Sequence, residues 1–241
     1  MNITKQFLPI FISIALFSAA LLFTGCPESG LEEIDFKIKT ATTIEGENFE
    51  FDQRYTLANG TDIEISNIYF YLSDINLVTD ANTEEAFSEV ELFRLKDQPE
   101  LTYTVANSDY VALNFNLGLD ESLNGVDPVD YAPEHPLSTA QNTYWSWASK
   151  YKFLLVEGKV YTDSQSNEFD GIAYHVGMDG WHKATTLNLA TSATTELTLS
   201  FDVARIFDDL DLSEQNVTHT DAATVEVAET VMNNFATALS L

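Results

Sequence analysis

The chain has 241 residues, with 11 Lys and Arg against 38 Asp and Glu, a formal net charge of −27. A field of that sign repels phosphate, which excludes nucleic acid and anionic lipid headgroups as partners and disfavours polyanionic substrates, while cations concentrate nearby. An acidic surface also serves solubility by itself, and the single cysteine, Cys26, leaves the chain no internal disulfide.

In chain order, Lys5 precedes a continuous apolar stretch from Phe7 to Phe23, which reads as a signal peptide over residues 1–25 and not as a structural helix. Thr24 and Gly25 ahead of Cys26 resemble a bacterial lipobox, with Cys26 as the lipidated first residue of the mature protein. The alternatives are an ordinary secretory signal or an uncleaved anchor. Residues 26–32 then form a polar tether, and the lipid holds the protein to a membrane of the cell envelope, facing the periplasm or the cell surface. Removal of residues 1–25 leaves 216 residues, enough for one self-sufficient core, and none of the later segments has the length of apolar sequence needed to span a bilayer.

From residue 33 to 241 the pattern is that of one domain. Apolar and polar residues alternate through Ile34–Ile38, Phe49–Phe51, Ile63–Ile65 and Val111–Leu117, the period of half-buried strands. Turn signals separate them at Asn59-Gly60, Asp80-Ala81-Asn82, Asn124-Gly125, Asp170-Gly171 and Asp179-Gly180. The expectation is an all-β fold, a two-sheet antiparallel sandwich. Between Glu121 and Asn142 runs a loop long for a hairpin connection, the kind that tends to carry function. Near the end, Val225, Ala228, Met232, Phe235 and Leu239 recur at helical spacing, predicting one C-terminal amphipathic helix over Asp221–Leu239, capped by Thr220 or Asp221.

The chemistry-bearing residues gather in the middle of the chain. With only 3 Trp and 4 His overall, the sequence places Glu134-His135-Pro136, Tyr144-Trp145-Ser146-Trp147 and Tyr174-His175-Val176-Gly177 within a short span. Imidazole suits copper, and a domain without a free thiolate must rely on His, Met or oxidised aromatic ligands. His135 and His175 are the leading pair, His219 and His182 the reserves, and Met178 offers a soft thioether for Cu(I). Trp145 and Trp147, two apart on a predicted strand, project to one face. Considered alone, a Trp pair on a strand reads as core packing, with Tyr144, Tyr151 and Phe153 continuing the cluster.

The segment Tyr144-Trp145-Ser146-Trp147 followed by Tyr151-Lys152-Phe153 resembles the copper-binding proteins related to methanobactin-associated MbnP. The resemblance extends through Tyr55–Thr61, Ser66–Ser73, Val111–Asp120, His135-Pro136-Leu137, Tyr174–Gly177 and Leu197–Val203, and so covers roughly residues 33 to 239. It implies one copper ion held for storage or delivery by two histidines and a kynurenine made from a tryptophan, a modification attributed to a di-haem peroxidase-like partner. An unmodified indole offers only an N–H donor, so oxidation is what would create the ligand. Of the two tryptophans Trp145 is preferred; Ser146 and Trp147 flank it where relatives carry a nearby histidine, so His135 is expected to arrive from the long loop.

Competing readings separate from this one on simple grounds. No nucleophile elbow, His-Glu-x-x-His, Walker or dinucleotide fingerprint occurs, so the protein is not expected to be an enzyme. Asp120, Asn124, Asp127 and Asp130 around Gly125 offer oxygen ligands for calcium, though without EF-hand spacing. A carbohydrate- or protein-binding adhesion sandwich is the functional alternative. Metal binding predicts histidines within reach of one another; glycan binding predicts a row of solvent-facing aromatics with the histidines apart.

Overall fold

The computed structural model describes residues 32–241 apart from 98, 147–149, 164 and 194. The expected signal peptide, Cys26 and all of the tether but Glu32 lie outside the described residues, as does Trp147. Among the described residues no helix is long and apolar enough to cross a membrane.

The strands are β1 (Glu33–Ile44), β2 (Glu47–Asn48), β3 (Arg54–Thr56), β4 (Asp62–Thr79), β5 (Glu84–Arg94), β6 (Glu100–Ala106), β7 (Tyr110–Leu117), β8 (Tyr144–Ser146), β9 (Lys150–Tyr151), β10 (Leu154–Tyr161), β11 (Phe169–Val176), β12 (Lys183–Ala193), β13 (Glu196–Asp202), β14 (Val217–Thr218) and β15 (Leu239–Ser240). The helices are a single turn, α1 (Glu121–Asn124), and α2 (Val225–Ala238). One sheet runs β15-β13-β1-β2 with β6 also on β1; the other runs β12-β7-β4-β10-β11-β14 with β3 and β5 also on β4. β8 and β9 pair separately as a hairpin. The sandwich and its C-terminal helix are as expected, with one difference: β1 on β13 and β11 on β14 are parallel pairs, so the sheets are mixed.

Alternation places the core. In β13, Leu197, Leu199 and Phe201 are buried between more exposed neighbours, and in β1 Phe36 and Ile38 point the same way. β4 is buried along most of its 18 residues because other strands flank it along its length, β10 and β7 on one edge and β3 and β5 on the other. Phe70 of β4 joins the layers: its ring lies 5.1 Å from Phe93 of β5, 5.6 Å from Phe201 of β13 and 5.1 Å from Phe235 of α2. Burying each such ring contributes roughly 1.5–3 kcal/mol. The helix presents Ala228, Val231, Met232, Phe235 and Ala238 to this core; Ala228, Met232 and Phe235 are on the expected stripe, while the helix ends at Ala238 and Leu239 belongs to β15. It starts later than Asp221, whose carboxylate instead accepts the Ala223 and Thr224 amides one turn earlier.

Two local expectations are corrected. Phe49–Phe51 is not a strand but a loop that enters a turn at Phe51; its two rings pack edge to face at 5.0 Å and Tyr55 stacks on Phe49, so the alternation records aromatic burial in a loop. Asp170-Gly171 is no turn but part of β11, where Gly171 pairs with Lys159 and its carbonyl accepts the Asn216 amide. Strand pairing outweighs the local turn preference there.

One half-buried ion pair pins β3 to β4. Arg54 donates to Asp62 through Nε at 2.9 Å and Nη2 at 2.7 Å, and Thr56 donates to the other carboxylate oxygen at 2.5 Å. The Thr56 hydrogen bond, with help from Arg54 and against burial, holds the Asp62 carboxyl below the usual carboxylate range. A depressed folded-state value gives stability that is present above the unfolded value of about 3.9 and lost as pH falls below it. Urea midpoints should therefore show wild type well above Asp62→Asn at pH 7 and the gap narrowing by pH 3; a gap independent of pH would contradict this role.

Candidate metal centre

His175 is the next-to-last residue of β11, and β14 is a two-residue edge strand whose parallel register sets Tyr174 against Thr218. Continued by one residue, that register brings His219 beside His175. Several bonds hold the segment in place: Asn216 O accepts the Ala173 amide at 3.0 Å, Gln215 O accepts the Tyr174 hydroxyl at 2.7 Å, and Thr220 donates its hydroxyl to His175 O at 3.0 Å. Thr220 sits at φ 57°, a left-handed conformation that costs a β-branched residue roughly 1–2 kcal/mol. That strain is concentrated at the residue next to His219, where surrounding hydrogen bonds hold it.

Trp145 comes from β8. Its ring centroid lies 5.0 Å from that of His219 and 5.8 Å from that of His175, and the two imidazoles are 5.0 Å apart. It is 42% exposed, so it is not the core anchor that a strand tryptophan usually is. The three rings line a cavity of about 270 Å³ together with Met178, Lys152 and the Lys150–Asp179 ion pair. Asn124, 1% exposed, braces the wall by donating to Asp179 at 2.8 Å and accepting the Tyr151 amide at 3.1 Å.

The surroundings of the two imidazoles differ. His175 Nε2 lies 3.0 Å from Glu157 Oε1, while His219 Nδ1 is buried without a hydrogen-bond partner among the described residues. Burial pushes the His175 imidazole below its ordinary value, Lys152 and His219 act in the same direction, and the Glu157 hydrogen bond opposes them. The ring is thus neutral at pH 7, the form that binds a metal. Burial likewise lowers the Lys152 amine, whose Nζ stands 5.8 Å from the Trp145 ring. Two imidazoles, one with an orphaned buried nitrogen, and a thioether form a donor set suited to copper. Among the described residues no three His, Cys, Asp or Glu side chains group to hold a metal.

The expected partner of His175 was His135, and the structure puts His219 there instead. His135 does not line the cavity; its ring stacks on Tyr131 at 4.0 Å and its Nδ1 accepts the Leu137 amide at 3.1 Å, which consumes a lone pair. The long loop carrying it is tied down by two buried tyrosines, Tyr71 donating to Pro136 O and Tyr151 to Leu137 O. His182 lines a different hollow with Trp181 and Met232. The calcium expectation also finds a different use of its residues. Asp120 caps α1, Asp127 caps the turn at Pro128–Asp130, and Asn124 braces the cavity wall, so these oxygens point at backbone and side-chain donors. As for a glycan platform, Trp145 and Phe169 are the exposed large aromatic side chains among the described residues, and the His175–His219 pair is close.

A family model described as MbnP matches residues 33–223. Among solved structures the chain is similar to MbnP from Methylosinus trichosporium, with 13% identity, 75% of this chain and 79% of that chain covered, and a TM-score of 0.54. At that identity the likeness is one of fold. No curated protein matches the chain by sequence.

Proposed function

The chain belongs to the MbnP family, and from that premise we propose that it is an exported, lipid-anchored protein that holds one copper ion between His175 and His219 beside Trp145, for storage or delivery. The observation that carries this reading is the convergence of both imidazoles and one exposed indole on a single cavity. Copper supplies the chemistry when bound; the protein supplies the His175 and His219 imidazoles and the Met178 thioether, within walls fixed by Asn124 and the Lys150–Asp179 pair. No turnover of substrate is part of this role. The acidic chain favours cation capture at the envelope, where Cys26 would carry the lipid.

Trp145 completes the donor set once two equivalents of peroxide oxidise it to N-formylkynurenine, releasing two waters, and hydrolysis removes the formyl carbon as formate; the kynurenine left exposes an aryl amine and a carbonyl in place of a lone N–H. Its exposure leaves it open to the di-haem peroxidase-like partner this step calls for. Protein purified from its native host should contain one copper per chain, and its Trp145 peptide should be heavier by about 4 Da, one oxygen gained and one carbon lost overall. A metal-free protein with unmodified Trp145 would reject the reading.

A further inference from the structure

Three neighbouring strands align Asn67, Glu157 and His175 on one face of the larger sheet. Asn67 of β4 is directly opposite Glu157 of β10, and Glu157 is diagonal to His175 of β11, whose own register partner is Leu155. Diagonal neighbours on a sheet face lie within reach of long side chains. The β4–β10 register shifts between Glu157 and Gly158, where β4 comes so close that a Cβ on Gly158 would stand 2.3 Å from Glu64 O. The backbone at Glu157 is therefore fixed from below, and the Ser66 hydroxyl donates to its carbonyl at 3.0 Å.

The side chain is fixed as well. Glu157 Oε2 accepts from Asn67 Nδ2 at 3.3 Å, which aims Oε1 at His175 Nε2, 3.0 Å away. A carboxylate can only accept, so the imidazole must carry its proton on Nε2 and leave the lone pair on Nδ1. Neither the Trp145 cavity nor the family match assigns Glu157 any part, and it does not line the cavity.

Resting on the copper reading of this site, we propose that Glu157, held by Asn67, is the positioning residue that locks His175 in the Nε2–H tautomer and so makes Nδ1 the metal-binding nitrogen. Outer carboxylates that orient a ligand histidine in this way typically change metal affinity about 10–100-fold when removed. Glu157 touches His175 and not the ion, and its side chain is 38% exposed, so replacement leaves no buried cavity.

The test reads the apo protein first. Long-range ¹H–¹⁵N correlation of the ring nitrogens should show His175 of wild type as a single Nε2–H tautomer, Glu157→Leu as a mixture, and Glu157→Gln restored to the wild-type pattern, since an amide oxygen still accepts. Isothermal titration with Cu(I) should then show affinity reduced about 10–100-fold in Glu157→Leu and close to wild type in Glu157→Gln. A wild-type Nδ1–H tautomer, or a Glu157→Leu variant unchanged in both readouts, would overturn the proposal, as would equal loss in both variants. If wild type binds no copper but the tautomer pattern is as stated, the copper reading fails while the Glu157 lock stands.

Discussion

A chain carrying His175→Ala and His219→Ala together is expected to take up no stoichiometric copper while keeping its fold. Both imidazoles face one cavity, so removing them leaves Met178 as the one remaining soft donor in its wall, too few for a stable site. The fold should survive because His175 is near the end of β11 and His219 follows the edge strand β14, away from the ring cluster around Phe70 that joins the layers. Substitutions of this kind cost on the order of 1 kcal/mol each. The matched control is His135→Ala, which removes the Tyr131 stack and the Leu137 hydrogen bond but no cavity residue. That control should bind copper as wild type does. Equilibrium dialysis with metal analysis checks binding, and circular dichroism checks the fold. Copper retained by the double variant, or lost by His135→Ala alone, would reassign the site.

Gly177→Ala should be the most damaging small substitution near the cavity. A Cβ there would lie 2.3 Å from Tyr151 O and 2.9 Å from Phe153 N, both backbone atoms that cannot rotate away. The strands would have to separate where Phe153 N now donates to Val176 O at 2.6 Å. Overpacking against backbone of this kind costs about 3 kcal/mol, which for a domain of this size lowers Tm by roughly 6–12 °C. The Gly177 amide also donates to Thr220 Oγ1 at 3.3 Å, and that hydroxyl holds His175 O, so the same shift loosens the alignment of His219. Copper affinity should fall together with Tm, by roughly tenfold. Gly171→Ala provides the contrast: nothing lies within 4 Å of a Cβ there, so Ala should be neutral or stabilise by roughly 0.5 kcal/mol. Thermal denaturation of the two variants separates steric exclusion from a general need for glycine in and just after β11.

Much of this architecture could be read from periodicity. Alternation in Ile34–Ile38 and Val111–Leu117 marks β1 and β7 because each has one face in the core, and the Val225–Leu239 spacing marks α2 for the same reason. Phe49–Phe51 misled because aromatic residues bury from a loop as readily as from a strand. At Asp170-Gly171 a local signal lost to strand pairing that depends on residues far away in sequence. The site was legible in part. Trp145 and His175 stood out by scarcity of residue type, but the choice of His135 over His219 assumed that the long loop supplies the ligand. What brings His219 beside His175 is a parallel register between β11 and a two-residue strand whose residues pair 44 positions later, and Val217-Thr218 is too short to announce itself as a strand. Glu157 left no trace in the sequence at all. With 38 acidic residues, one glutamate on a strand is not distinguishable until the β4–β10 and β10–β11 registers are known.

The most direct test is an anomalous difference map at the copper edge from crystals of protein loaded with Cu(I). A single strong peak is expected in the cavity, within bonding distance of Nδ1 of His175 and of a ring nitrogen of His219, with the Trp145 side chain at its edge. A peak at His135 or His182, or no peak in a protein shown to carry copper in solution, would contradict it.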